Sequence, residues 1–244
     1  MKQKVGISFV IPVYGSERTL AGVVTAVAAL NQVDWEVVLV NDNSPDGVDV
    51  VIRRLIKKYP HKVTYIKLHK NGGQHSALLT GFRYVTKALV ATIDDDGQNP
   101  PSEILHLVKK MNEDQLDIVY GQVRQPKQTR FRRFLSQANI GLSRFTINNV
   151  QRIPFSNVRL MRAEIAQSMA EASTQYNYIE GLAFMLTDHI GSVEIAQHER
   201  AEGSSSYNFF RLIKLLMNHV IGYSNITLKV LTLFSLTISL LAFT

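Results

Sequence analysis

The sequence predicts an α/β fold, a mainly parallel sheet flanked by helices. Over the first 125 residues, short runs rich in Val and Ile alternate with amphipathic stretches at the pitch of strand–helix units. At 244 residues the chain is long enough for one large domain burying roughly 70 % of its unfolded surface. Its composition, 45 % hydrophobic and 19 % charged, is globular and excludes disordered, collagen-like and low-complexity classes.

Residues 7–13 (ISFVIPV) read as a buried strand, and Ser16 is placed to cap a helix through Leu30, with Glu17 in its first turn. Residues 36–41 (EVVLVN) form a second strand, and 48–58 a helix that stops before Pro60. A third strand follows at 63–68, a helix at 73–87, a strand at 89–93, a helix at 101–112 opened by Pro and Glu, and a strand at 117–120. No internal repeat is visible. In such a sheet, ligands sit beyond the carboxyl ends of the strands, where strand order reverses. That directs attention to residues 14–17, 42–46, 70–74 and 94–99.

The sharpest local signal is ATIDDDGQNPPSE at 91–103. Three consecutive carboxylates at a strand end repel one another unless a cation sits among them. In an extended bend Asp94 and Asp96 face the same way and Gln98 adds a neutral oxygen. These are hard ligands suited to Mg²⁺ or Mn²⁺, with diphosphate oxygens completing the shell. In VLVNDNSPD at 38–46, Asp42 either begins an ordinary turn and helix cap or accepts a hydrogen bond from a nucleobase N–H. In KNGGQHSALLTG at 70–81, Gly72 and Gly73 let backbone approach a ligand at a helix N-terminus; His75 there reads as structural.

Several chemistries are absent. There is no Cys, and the seven His are scattered, which excludes disulfides, thiolate chemistry and a His-based zinc site. GxxxxGK[ST], GxGxxG and GxSxG do not occur.

The charge is unbalanced: 27 Lys and Arg against 20 Asp and Glu leave +7, which favours an anionic partner. Residues 124–144 hold Arg124, Lys127, Arg130, Arg132, Arg133 and Arg144 with no acid among them. Interleaved Phe131, Phe134 and Phe145 also fit single-stranded nucleic acid. A membrane-facing basic shoulder explains the same residues and uses the apolar end of the chain as well, so no nucleic-acid partner is expected. Residues 226–244 (ITLKVLTLFSLTISLLAFT) carry only Lys229 as a charge. As a helix they reach about 28 Å, close to the hydrocarbon core of roughly 30 Å. Residues 207–223 suit an amphipathic helix in the interface. The N-terminus enters a strand pattern without a signal-peptide cleavage site, and Arg211, Lys214 and Lys229 place the body of the chain in the cytoplasm, at the inner membrane. The expected organisation is a cytoplasmic catalytic domain at 1–205, an interfacial helix at 206–225 and a transmembrane helix at 226–244.

Taken in order, PVYGSE, VNDNSPD, NGGQH and DDDGQNPPSE resemble the inverting family-2 glycosyltransferases of the Rossmann-like GT-A fold. The apolar tail, with VRQPKQTRFRR and ERAEGSSSYNFFRLIKL, narrows the resemblance to the polyprenyl-phosphate glycosyltransferases, over nearly the whole chain. The resemblance implies that Pro12, Tyr14, Glu17, Gly72, Asp94 and Asp95 bind the nucleotide sugar, favouring a UDP-sugar, and that Asp42 reads the base. Asp94, Asp96 and Gln98 would hold the metal. Arg200 matches a phosphate-facing arginine and joins Asp94 and Asp96 as catalytic, while Arg124, Arg130 and Arg200 would meet the acceptor phosphate. Such relatives are often membrane homo-oligomers.

Three departures stand out. Ser206 replaces a Lys, Ser156-Asn157 stands where relatives place an Asp, and the chain ends within or after its first expected membrane helix. The missing carboxylate is tolerable, because a phosphate acceptor is already largely dianionic at pH 7 and needs no base. Two other readings compete. One is transfer to a non-lipid saccharide; the QxxRW motif of processive synthases is absent, the sole Trp being Trp35. The other is a catalytically impaired nucleotide-binding membrane scaffold.

Overall fold

The computed structural model describes residues 4–123, 156–172 and 178–196. They fall within one compact unit made of residues 1–125 and 153–200. The elements are β1 (Val5–Val13), α1 (Leu20–Ala28), β2 (Val33–Asn41), α2 (Val48–Lys58), β3 (Val63–Lys67), α3 (Gln74–Phe82) and β4 (Leu89–Thr92). A 3₁₀ turn (Pro101–Glu103), α4 (Ile104–Glu113), β5 (Ile118–Val123), β6 (Arg159–Arg162), α5 (Ala163–Glu171), α6 (Ile179–Leu186) and β7 (Ile190–Ile195) follow.

The seven strands make one sheet in the order β3-β2-β1-β4-β6-β5-β7. Neighbours are parallel except at β6, which pairs antiparallel with both β4 and β5. Side-chain alternation along β1 explains the layers. Ile7, Phe9, Ile11 and Val13 point into a core shared with Leu20, Val24, Ile52 and Leu107. Val10 points the other way, against Ala77, Leu78 and Phe82. The sheet is thus covered on both faces, as parallel strands require. Gly81 lets α3 lie close: a Cβ there would meet Val10 Cγ1 at 2.4 Å and Val40 Cγ2 at 3.0 Å. The first turn of α3 is thereby held over the carboxyl end of the sheet.

Two helix boundaries differ from the sequence expectation, each for a tertiary reason. The first helix starts at Leu20, and Ser16 supplies its backbone oxygen, not its hydroxyl, to the Thr19 and Leu20 N–H groups at 3.1 and 3.0 Å. The preceding turn is fixed from outside: Glu17 N donates to Asp46 Oδ2 at 2.8 Å and Thr19 Oγ1 to the Asp95 carbonyl at 2.6 Å. The third helix stops at Phe82 rather than Lys87, because Thr86 N donates to Glu36 Oε1 at 2.7 Å and Lys87 N to Ser8 Oγ at 3.1 Å. Side-chain acceptors on neighbouring strands outcompete the helix ladder there.

Arg124, Arg130, Arg200 and Ser206, with the expected helices at 206–225 and 226–244, lie outside the described residues. Among the described residues no helix is long and apolar enough to cross a membrane.

Candidate active site

Strand order runs from β1 through β2 to β3 on one side and resumes with β4 on the other, so the switch point lies between β1 and β4. A cleft of about 420 Å³ opens there. Pro12, Val13 and Tyr14 line it from the end of β1, and Asp42 from the end of β2. Asn71, Gly73 and Gln74 contribute from the entry to α3, Asp94, Asp95 and Asp96 from the end of β4, and Asn157 from the approach to β6.

Asp94 is the hub. Gln74 Nε2 donates to its Oδ1 at 2.9 Å and Asn157 Nδ2 to its Oδ2 at 3.2 Å, so a neutral amide holds each oxygen. Burial pushes its pKa up and the Asp96 charge adds to this, while the two amides and the Arg159 charge pull the other way. Asp95 turns back towards β1, where its Oδ2 accepts the Tyr14 N–H at 2.9 Å. Burial lifts this carboxyl to about 6 despite that bond. Asp96 is clasped by Gln98, whose backbone N and side-chain Nε2 donate to it at 3.0 and 2.5 Å. Gln98 therefore presents its amide nitrogen to Asp96.

Asp42, buried, organises the glycine loop: Gly72 N and Gly73 N donate to its two oxygens at 2.7 and 2.8 Å. Gly73 adopts φ +83°, a left-handed conformation open to glycine, which turns its N–H back onto Asp42. Glu17 does not line the cleft, and its Oε2 accepts Gly47 N–H at 3.1 Å, at the start of α2. Gly72 likewise sits behind the lining, on Asp42.

The cleft thus brings together Pro12, Tyr14, Asp42, Asp94, Asp95 and Asp96, six of the residues for which the resemblance implies a site role. Asn71 and Gln74, within the stretch 70–74, and Asn157, noted only as standing where relatives place an Asp, join them without having been given a site role. NGGQH carried a signal for Gln74, a polar amide in the first turn of a helix at a ligand-binding loop. Among the described residues no group of three or more His, Cys, Asp or Glu converges for metal binding. Asp94 and Asp96, part-buried beside an open cleft, do fit a hard divalent ion, which typically takes one or two protein carboxylates and completes its shell with substrate phosphates and water.

A mainly parallel sheet with one reversed strand and an acidic loop at its switch point is the GT-A arrangement of glycosyltransferases. The chain belongs to glycosyl transferase family 2, whose family profile matches residues 8–169. It is 33 % identical over 242 residues to the undecaprenyl-phosphate 4-deoxy-4-formamido-L-arabinose transferase of Enterobacter sp. (strain 638), covering 98 % of this chain and 73 % of that protein. The enzyme of the same name from Klebsiella pneumoniae (strain 342) is also 33 % identical, with 97 % and 73 % covered. The fold is similar to a mannosyltransferase from Pyrobaculum calidifontis in complex with GDP-Man and Mn²⁺ (TM-score 0.61, 17 % identity, 87 % of this chain and 61 % of that one). It is also similar to glucosyl-3-phosphoglycerate synthase from Mycobacterium tuberculosis in complex with Mn²⁺, UDP and glucosyl-3-phosphoglycerate (TM-score 0.58, 16 % identity, 89 % of this chain and 77 % of that one).

Proposed function

We propose that this glycosyltransferase moves a sugar from a nucleotide-sugar donor, a UDP-sugar in the favoured reading, to a polyprenyl phosphate at the cytoplasmic face of a membrane, with inversion at the anomeric carbon. The observation that carries the acceptor is similarity along nearly the whole chain to undecaprenyl-phosphate sugar transferases. The basic stretch at 124–144 and the apolar end at 226–244 agree with an anionic lipid partner. The division into a catalytic body at 1–205, an interfacial helix at 206–225 and a membrane helix at 226–244 belongs to the same proposal.

In this reading Asp42 and the glycine loop it organises shape the nucleoside end of the cleft, and Tyr14 and Pro12 form its wall. Asp94 and Asp96 would hold Mg²⁺ or Mn²⁺, an assignment supported by Mn²⁺ in the two related folds. A bound ion would offset the charge of the departing nucleoside diphosphate. Gln74 and Asn157 keep the Asp94 carboxylate aimed, and Gln98 does the same for Asp96. Arg124, Arg130 and Arg200 are the proposed acceptor-phosphate residues. The lipid phosphate is itself the nucleophile, so the site has to bring two anions together rather than remove a proton. An Asn at position 157 serves that task, since a further carboxylate beside Asp94 would add to the repulsion.

Incubation of detergent-solubilised full chain with a panel of UDP- and GDP-sugars, Mn²⁺ and undecaprenyl phosphate tests the reading. Nucleoside diphosphate release that requires the lipid, giving a glycolipid of inverted configuration, is expected. Equal release without the lipid, or a retained configuration, overturns it.

A further inference from the structure

Beneath the acidic loop lies an ion pair to which no role has been given. Arg159 is fully buried, and its Nη1 stands 3.1 Å from Oε1 of Glu180, itself buried. The pair is poorly made: among the described residues the guanidinium nitrogens have no well-aligned hydrogen bond, and neither has Glu180 Oε2. The guanidinium carbon sits 5.6 Å from the centroid of the Tyr120 ring, and His75 Nδ1 lies 3.9 Å from Glu180 Oε2. A buried pair of this quality is a weak device for stability, since an apolar pair of equal volume would serve as well or better.

Its position is informative. In the antiparallel pairing of β4 with β6, Thr92 stands opposite Arg159. One step outward in the same register, Asp94 meets Asn157 and accepts its amide hydrogen bond. Alternate residues of a strand share a face, so Arg159 lies on the side of the sheet that carries Asn157 and Asp94, one step inward.

We propose that the Arg159–Glu180 pair sets the charge a divalent ion meets at Asp94. Glu180 pairs the guanidinium, so that the buried side chains one step inward of Asp94 carry no net charge. Both are positioning residues, and the inference rests on reading Asp94 and Asp96 as the metal carboxylates. Neutralising Glu180 leaves an uncompensated cation beside Asp94 that competes with the metal.

Mn²⁺ binding to the full chain in detergent, followed by electron paramagnetic resonance with UDP present, tests this without turnover. Glu180→Gln is expected to weaken Mn²⁺ binding by about tenfold or more, and Glu180→Asp, which shortens the reach by one methylene, by about threefold. The double variant Arg159→Met/Glu180→Leu removes both charges and is expected to return within about threefold of wild type. The loss in Glu180→Gln is expected to persist at a temperature where circular dichroism shows the metal-free variant fully folded, which a merely structural role would not produce. Wild-type binding in both single variants overturns the proposal, as does a folded double variant that binds as weakly as Glu180→Gln. Absence of Mn²⁺ binding by the wild-type chain overturns the metal reading itself, and this inference with it.

Discussion

The two ends of the sheet treat the same side chain in opposite ways. At the amino end, Asp34 at the start of β2 receives Lys62 Nζ at 2.8 Å and Lys87 Nζ at 2.6 Å, and these bonds hold its pKa down at about 2. At the carboxyl end, Asp94 and Asp95 are part-buried and, among the described residues, have no Lys or Arg hydrogen-bonded to them; desolvation raises both, Asp95 to about 6. Asp117, just before β5, takes Arg162 Nε at 2.9 Å and follows the first pattern; so does Asp49, which takes Lys67 Nζ at 2.5 Å at the carboxyl ends of β2 and β3 but outside the cleft lining. These three acids, Asp34, Asp49 and Asp117, are paired with the protein's own cations. Asp94 and Asp95, without such a partner among the described residues, are the acids at which a cation from outside would be held under the proposed function.

The comparison breaks most sharply if the cleft acids prove dispensable. Asp94→Asn and Asp96→Ala are each expected to lower kcat/KM by roughly a hundred- to a thousandfold, measured as nucleoside diphosphate release. Mn²⁺ with UDP should raise the melting temperature of the wild type, and the two variants should lose that increment. An unchanged increment would move the metal away from this loop.

Next in size is the amide clamp. Asn157→Ala frees one oxygen of Asp94, and a hydrogen bond to a charged group of this kind carries about 1.5–3 kcal/mol. A loss on the order of tenfold or somewhat more in kcat/KM is expected, with undecaprenyl phosphate affinity unchanged. If lipid affinity falls instead, Asn157 belongs to the acceptor side.

These two predictions also divide what the sequence made legible from what it did not. The run Asp94-Asp95-Asp96 announces itself because adjacent like charges at a strand end call for an explanation, and the strand–helix alternation places it at the right edge of the sheet. Glycines 72 and 73 mark the loop, but their service to Asp42 becomes visible only when residues 30 and 31 positions away are brought together. Asn157 was marked only as standing where relatives place an Asp, and its bond to Asp94, like Arg159, was out of reach. Their meaning depends on an antiparallel register between β4 and β6, which lie more than sixty residues apart, and β6 is only four residues long. So short a strand leaves no periodicity to read. The helix ends misread at Ser16 and Lys87 have the same origin, a partner from a distant strand or loop.

The stability of the two ends should respond to pH with opposite signs. Asp95 has a raised folded pKa, so the folded state holds its proton more tightly than the unfolded chain. Stability then falls as pH rises from about 3.8 to about 6 and stays lower above that. With EDTA present, Asp95→Asn should raise stability by about 1–3 kcal/mol at pH 8 and by almost nothing at pH 4, read from chemical denaturation at each pH. A gap that does not widen with pH would mean that Asp95 is not desolvated.

Asp34 supplies the smallest effect and the control. Its pKa is lowered, so its contribution is present above about 3.8 and is lost as pH falls towards about 2. The side chain is 43 % exposed and both lysines are partly solvated, so water and salt screen most of what the shift would otherwise mean. Asp34→Asn should cost less than about 1 kcal/mol at pH 7, and less still in 0.5 M salt. Its Mn²⁺-dependent melting increment should match the wild type, because the residue lies at the opposite end of the strands from the cleft. A change in that increment would show that charge at the far end of the sheet reaches the site, and the division between fold-serving and ligand-serving acids would then have to be drawn differently.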